Sequence, residues 1–182
     1  MTLTEYKKVI KSLSREEFEA HIFELFKSSK TFKDIESSYW SEGSNDELLS
    51  DLQKRLEKVF WKNNFSLSEC KGVLKDYLDR TIDERTKALM HFAFAVEEAR
   101  LSATYGDFGT GFYNSLVSSA KKYMDYAKQH PSFFRIYETE FEKLIKITDS
   151  FGYGVSGDLV CLLEDARKEI GRSGSVWKST TV

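Results

Sequence analysis

A chain of 182 residues with 41% hydrophobic and 31% charged side chains is long enough to bury roughly 70% of its unfolded surface, which excludes a wholly disordered polymer. Its 27 basic and 29 acidic side chains nearly cancel, leaving a formal charge of -2, so no global field favours nucleic acid or an anionic membrane. Cys70 and Cys161 are the only cysteines, too few for a disulfide framework or a four-ligand zinc site.

The opening segment, MTLTEYKKVIKSLSREEF, has charges where a secretory leader needs an apolar run, and no window reaches the roughly 20 apolar residues of a membrane span. These features predict a soluble, cytoplasmic protein with no membrane partner. A single proline, Pro131, predicts that long helices dominate.

Ser14-Arg15-Glu16-Glu17 reads as a capping box. Behind it Phe18, Ile22, Leu25, Phe32, Ile35 and Tyr39 recur at helical spacing, predicting one long amphipathic helix or two with a break near Ser28-Ser29. The stretch from Ser41 to Asn45 is a loop by composition, and Asp46 is placed to cap a helix carrying Leu48, Leu49, Leu52, Leu56, Val59 and Phe60. Asn63-Asn64 ends it. Ser66-Leu67-Ser68-Glu69 is a second capping box for a helix with Cys70, Val73, Leu74, Tyr77 and Leu78 on one side.

Asp83 starts the next helix, whose predicted seam is Leu89, Phe92, Ala93, Val96 and Ala103, widened by Ala88, Phe94 and Ala95. This is the helix expected to be most buried. Beyond the glycine-rich corner Tyr105 to Gly111, the positions Phe112, Leu116, Ala120, Tyr123, Met124 and Ala127 predict a helix that His130-Pro131 must end. Pro131 then opens a helix with Phe134, Tyr137, Phe141, Leu144 and Ile145, closed by the corner Phe151-Gly152-Tyr153-Gly154. Leu159, Leu162, Leu163, Ala166 and Ile170 mark the last helix. The pattern predicts an all-α fold, an irregular antiparallel bundle or short superhelix of about seven helices, as one domain over residues 1–171 with a flexible tail over 172–182.

If successive helices run antiparallel, the two glycine-rich corners are two turns apart and belong at the same end of the bundle. That places Tyr105, Asp107, Phe112, Tyr113, Asn114, Phe151, Tyr153 and Asp158 within reach of one another, beside helix N-termini that favour anions. The competing reading is structural: Gly106 and Gly152 as left-handed helix ends, Asp107 or Thr110 as a cap, and the rings as packing.

The segments SLSREEFEAHIFELFKSSKTFKDIESSYW, YGDFGTGFYNS and FGYGVSGDL resemble a family of small uncharacterised bacterial proteins catalogued as a domain of unknown function. The resemblance runs from about Tyr6 to Glu169 and implies a single domain. It implies no activity. The segment WKNNFSLSECKG only loosely matches that family's basic, glycine-containing middle region.

Other candidate chemistry reads as structural. Glu17, His21 and Glu24 share a helix face, but the spacing is not that of a di-iron bundle and no second copy occurs, so surface hydrogen bonding is expected and no metal or other cofactor. His91 and His130 have no recognisable nucleophile beside them. Cys161 reads as inert core filling, whereas Cys70, near a helix N-terminus, is the better thiol candidate. Lys121, Lys122, Lys128, Arg135, Lys143 and Lys146, with Tyr123, Tyr126 and Phe133, mark a basic, ring-bearing surface, but Asp125, Glu138, Glu140 and Glu142 interrupt it. The terminal Thr180-Thr181-Val182 resembles a carboxylate-captured peptide by coincidence.

With no catalytic set and an aromatic fraction of 14%, the leading expectation is a non-enzymatic interaction or adaptor protein that uses an apolar groove or its aromatic end, with another protein or itself as partner. A small-molecule binder or enzyme built on Asp107 and Asp158 is the alternative, and a nucleic-acid accessory protein stands third.

Overall fold

A computed structural model describes residues 1–40 and 43–176, without the side chains of residues 38 and 173–176. The described residues form nine α-helices and no strand: α1 (Leu3–Ser12), α2 (Arg15–Ser28), α3 (Lys30–Trp40), α4 (Ser44–Phe60), α5 (Leu67–Leu78), α6 (Glu84–Tyr105), α7 (Thr110–Gln129), α8 (Pro131–Thr148) and α9 (Val155–Val176). The all-α expectation holds, with two more helices than the periodicity indicates. One is α1, announced by Thr2-x-x-Glu5, in which the Thr2 hydroxyl accepts from the Glu5 amide and the Glu5 carboxylate accepts from the Thr2 amide. The other realises the second of the two readings of Phe18 to Tyr39, a break near Ser28-Ser29: the extended backbone of Ser29 ends α2, and its hydroxyl accepts from the Phe32 amide to start α3.

Side-chain capping decides most of the remaining starts. Asp83 accepts from both the amide (2.9 Å) and the hydroxyl (2.5 Å) of Thr86, an arrangement worth about 1 kcal/mol. Ser66 caps α5 by accepting from the Glu69 amide, but the reciprocal half of the box is absent because the Glu69 carboxylate pairs with Lys62 instead. Asp46 does not cap α4: Gly43 precedes the helix, Ser44 and Asn45 already belong to it, and Asp46 sits in its first turn. Pro131 occupies the first position of α8 as expected. At the other end of the chain, α9 continues to Val176, and the rest of the expected tail, with Thr180-Thr181-Val182, lies outside the described residues.

The buried core begins at Leu48 and draws on α4 to α9, with Leu52, Leu56, Phe60, Met90, Leu116, Met124, Phe141 and Leu159 almost wholly enclosed. At its centre lies α6, packed against α4, α5, α7 and α8. The predicted seam of α6 is rotated: Leu89, Phe92, Ala93 and Val96 are only half-buried and Ala103 is exposed, while Ala88, Phe94, Ala95, Ala99 and Leu101 are buried together with the polar His91, Glu98 and Ser102. A helix with neighbours on four sides has no single inward stripe, so apolar periodicity does not locate its core face. No side chain of α1 or α2 is buried. Leu52→Ala is expected to cost about 2–5 kcal/mol in urea unfolding, whereas Ile136→Ala on the exposed face of α8 should change it by less than about 0.5 kcal/mol.

Candidate functional site

The expected meeting of the two glycine-rich corners is present, and a third turn joins them. A continuous train of rings runs from Phe60 to Phe65 (5.7 Å between centroids), Phe65 to Phe108 (5.6 Å), Phe108 to Phe112 (4.9 Å), Phe112 to Tyr113 (5.9 Å) and Tyr113 to Tyr153 (5.4 Å). It links the α4–α5, α6–α7 and α8–α9 turns at one pole. Phe65 and Trp61 were not among the sequence candidates. The signal was there, because their turn is two turns before the Tyr105 corner and antiparallel succession assigns it to the same end.

Within this pole the expected residues divide. Phe112 and Tyr113 are buried, and the Tyr113 hydroxyl meets the Ser102 hydroxyl at 2.9 Å. Ser102 also donates to the Gly106 carbonyl, while the Gly106 amide donates to the Ser102 carbonyl. Gly106 turns the chain there at φ +91°, a conformation that disfavours any side chain. In the second corner the left-handed residues are Tyr153 (φ +60°) and Gly154 (φ +73°), not Gly152. Asp107 and Thr110 do not cap α7: Gly109 precedes it without a side-chain cap, and the Asp107 carboxylate instead accepts from the Gly109 amide at 2.6 Å.

Asp107 joins the two sides of the pole. Its charge and a hydrogen bond raise the Tyr153 phenol above its ordinary pKa of 10. On the other side Asp107 and Tyr105 line a cleft of about 380 Å³ with Trp61, Lys62, Phe65 and Phe108, and the Tyr105 ring lies 6.0 Å from Trp61. Phe151 packs on Tyr113 at 5.7 Å. Asn114 and Asp158 are exposed, and Asn114 faces a different cleft, between α5 and α7. The pole thus sets packed aromatic rings beside the exposed Asp107 carboxylate.

The half-buried seam of α6 has its own setting. Leu89, Phe92, Ala93 and Val96 floor a groove of about 560 Å³ walled by Leu49 and Gln53 of α4 and Tyr137 and Glu140 of α8. At one end Glu97 accepts from the Trp61 indole (3.0 Å) and from Arg100 (2.6 Å). The groove is therefore an apolar floor with a charge-compensated rim.

Between α6 and α7 runs a buried polar seam. Glu98 is wholly buried, and neither carboxylate oxygen has a hydrogen-bond partner at good geometry. Burial raises its pKa from 4.5 to about 8, against smaller opposing contributions from the neighbouring Ser115 hydroxyl and Lys71. His91, two turns earlier, has an unpartnered Nδ1, and burial with Lys122 nearby lowers its pKa to about 4. Both groups are thus largely uncharged at neutral pH.

The remaining candidates find ordinary roles. Glu17 accepts from the Ser14 amide, Glu24 pairs with Lys27, and His21 Nε2 lies 3.4 Å from the Tyr6 hydroxyl. The His130 ring stacks on Tyr126 at 4.0 Å. Lys121 pairs with Asp125, Lys143 with Glu140 and Lys128 with Glu169. The two cysteines exchange places: Cys161 is exposed, because it lies about 160° round α9 from the buried Leu159 and Leu163, and Cys70 is buried. Burial, aided by Glu69 and Glu98, pushes the Cys70 thiol up to about 12, overriding the helix dipole. Among the described residues no helix is long and apolar enough to cross a membrane. No family model, curated protein or solved structure matches this chain.

Two measurements check this geometry. Glu98 binds its proton more tightly when folded, so its contribution to stability is lost as pH rises from 4.5 to about 8; His91 binds its proton less tightly, so stability is gained from about 4 to 6.5. The two oppose one another up to pH 6.5, and above it the Glu98 effect stands alone. Unfolding free energy should therefore fall by about 2 kcal/mol between pH 6.5 and 8, and Glu98→Gln should abolish that fall. Asp107→Asn keeps an oxygen for the Gly109 amide but removes the charge, so ultraviolet titration should show the Tyr153 phenol returning toward about 10 at nearly unchanged melting temperature.

Proposed function

We propose that this chain is a non-enzymatic helical interaction protein whose docking element is its N-terminal arm, α1 to α3, and that the α1–α2 hairpin pairs with a second copy. One observation carries the reading: the core begins only at Leu48, yet Leu3, Val9, Phe18, Phe23 and Phe26 stand exposed on the two arm helices. Isolated helices shorter than about 12–15 residues are marginal in water. Helix α1 has 10 residues and α2 has 14, both are closed by reciprocal capping boxes, and neither buries a side chain. Helices so well specified at their ends and so bare along their sides call for a packing partner.

Charge favours a second copy as that partner. Helix α1 carries Lys7, Lys8 and Lys11 against Glu5 alone, while α2 carries Glu16, Glu17, Glu19 and Glu24 against Arg15 and Lys27. A two-fold axis that sets α1 of one copy on α2 of the other matches opposite signs twice and buries the exposed phenylalanines in a four-helix bundle. Of the roughly 150–250 Å² that a phenylalanine can bury, the exposed fraction, 63% at Phe23 and 40% at Phe18 and Phe26, is left to contribute. The ligand or enzyme reading at the pole has less support, since Asp107 is engaged by Gly109 and Tyr153.

In sedimentation equilibrium the full chain is expected to be a dimer that weakens with added salt. Phe18→Glu with Phe23→Glu should yield a monomer whose body melts as before. A wild-type chain that stays monomeric up to about 0.1 mM would refute the pairing.

A further inference from the structure

We infer that the cleft between α5 and α7 is a binding site for a small organic phosphate. It is independent of the arm and shares no lining residue with the cleft at the aromatic pole, although Gly111 of the first glycine-rich corner borders it. Its volume is about 520 Å³, within the range of pockets that hold small ligands. One wall is the α5 face bearing Lys71, Leu74, Lys75 and Leu78, at steps of three and four; the other is the α7 face bearing Asn114, Ser115, Ser118, Ser119 and Lys122; His91 and Phe94 of α6 form the floor.

Charge sets this cleft apart. Three lysines line it and no carboxylate does, in a chain whose net charge is -2. Among the described residues Lys71, Lys75 and Lys122 make no ion pair, whereas Lys62, Lys87, Lys121 and Lys143 each have a carboxylate partner. The adjoining cleft toward His130 shares His91 and Lys122 but is lined by Asp83, Glu84 and Asp125. The α5–α7 cleft therefore lacks the acids that line its neighbour. The buried His91 at its floor has an Nδ1 with no partner in the protein.

The donors fit a tetrahedral dianion better than a carboxylate. Three lysines stand on the two walls, and Asn114 and serines share the lining; a phosphate presents three terminal oxygens in different directions to such donors, whereas a carboxylate presents two in one plane. Leu74, Leu78 and Phe94 supply an apolar strip beside the charged groups, so the ligand carries an apolar portion as well as its phosphate.

Titration of the full-length chain with phenyl phosphate, inorganic phosphate and benzoate at constant ionic strength tests this, read by the His91 ring resonances and by thermal shift. Phenyl phosphate should bind saturably with Kd about 1 mM or tighter, at least about tenfold tighter than either inorganic phosphate or benzoate, and should raise the His91 pKa because the bound anion offsets Lys122. Lys71→Gln with Lys122→Gln should weaken binding by about tenfold or more, while Lys143→Gln, on another face, should not. The arm variants should bind as wild type does, so loss of dimerisation and loss of this site are separable. Equal affinity for benzoate, no saturable shift at His91, or unchanged affinity in the folded double lysine variant would overturn the proposal.

Discussion

The enclosure of α6 is the constraint on which the rest of the molecule depends. A helix touched by α4, α5, α7 and α8 must present some polar residues to protein rather than to water, and at Glu98, His91 and Ser102 it does. Ser102 resolves this by bonding both Tyr113 and the Gly106 carbonyl, which ties the helix end to the corner that follows. Glu98 resolves it by holding a proton, and His91 by releasing one. Burying the charged forms would cost several kcal/mol each. The packing of one helix thus sets the protonation of two side chains and the geometry of the aromatic pole.

Enclosure is incomplete on one side, and there the apolar seam of α6 shows. Helices α4 and α8 flank Leu89, Phe92, Ala93 and Val96 without meeting over them. Phe92 still stacks on Tyr123 at 4.5 Å, so the floor is rigidly supported from below. The arm is the opposite case: α3 reaches the body through contact with α4 and an Arg80–Asp34 ion pair, while α1 touches α2 chiefly where Tyr6 approaches His21. Order in the body comes from burial and order in the arm from capping. Capping contributes about 1 kcal/mol per helix end, against the larger entropy of fixing ten or more residues.

Much of the body was legible in the sequence because local rules and global packing agree there. Asp83, Pro131 and the Phe112-to-Ala127 series on α7 each have one physical reading, and the structure follows it. Antiparallel succession was enough to bring Asp107 and Tyr153 to a common pole. What escaped were properties that depend on all neighbours at once. Apolar periodicity points to the seam of α6, but on a helix packed by four neighbours that stripe is not the most buried face. Cys70 was read by its place near a helix start, but desolvation there outweighs the dipole. Helix α1 was overlooked because its apolar residues are spread and its only strong signal is the four-residue capping box.

The same neighbours explain why one cleft is positive on a molecule with slight negative charge. A buried acid, Glu98, neighbours Ser115 and lies within electrostatic reach of Lys71. Were it ionised, Lys71 would have a buried counter-charge and the cleft would lose much of its field. Burial keeps it mostly protonated below about pH 8, and His91, lying between that carboxyl and Lys122 along the same seam, stays neutral as well. Lysine charges that face a neutral floor are compensated only by solvent or by a ligand. Desolvation of α6 residues therefore acts at a distance on the surface: it neutralises an internal acid within reach of Lys71 and leaves that lysine's charge facing the cleft.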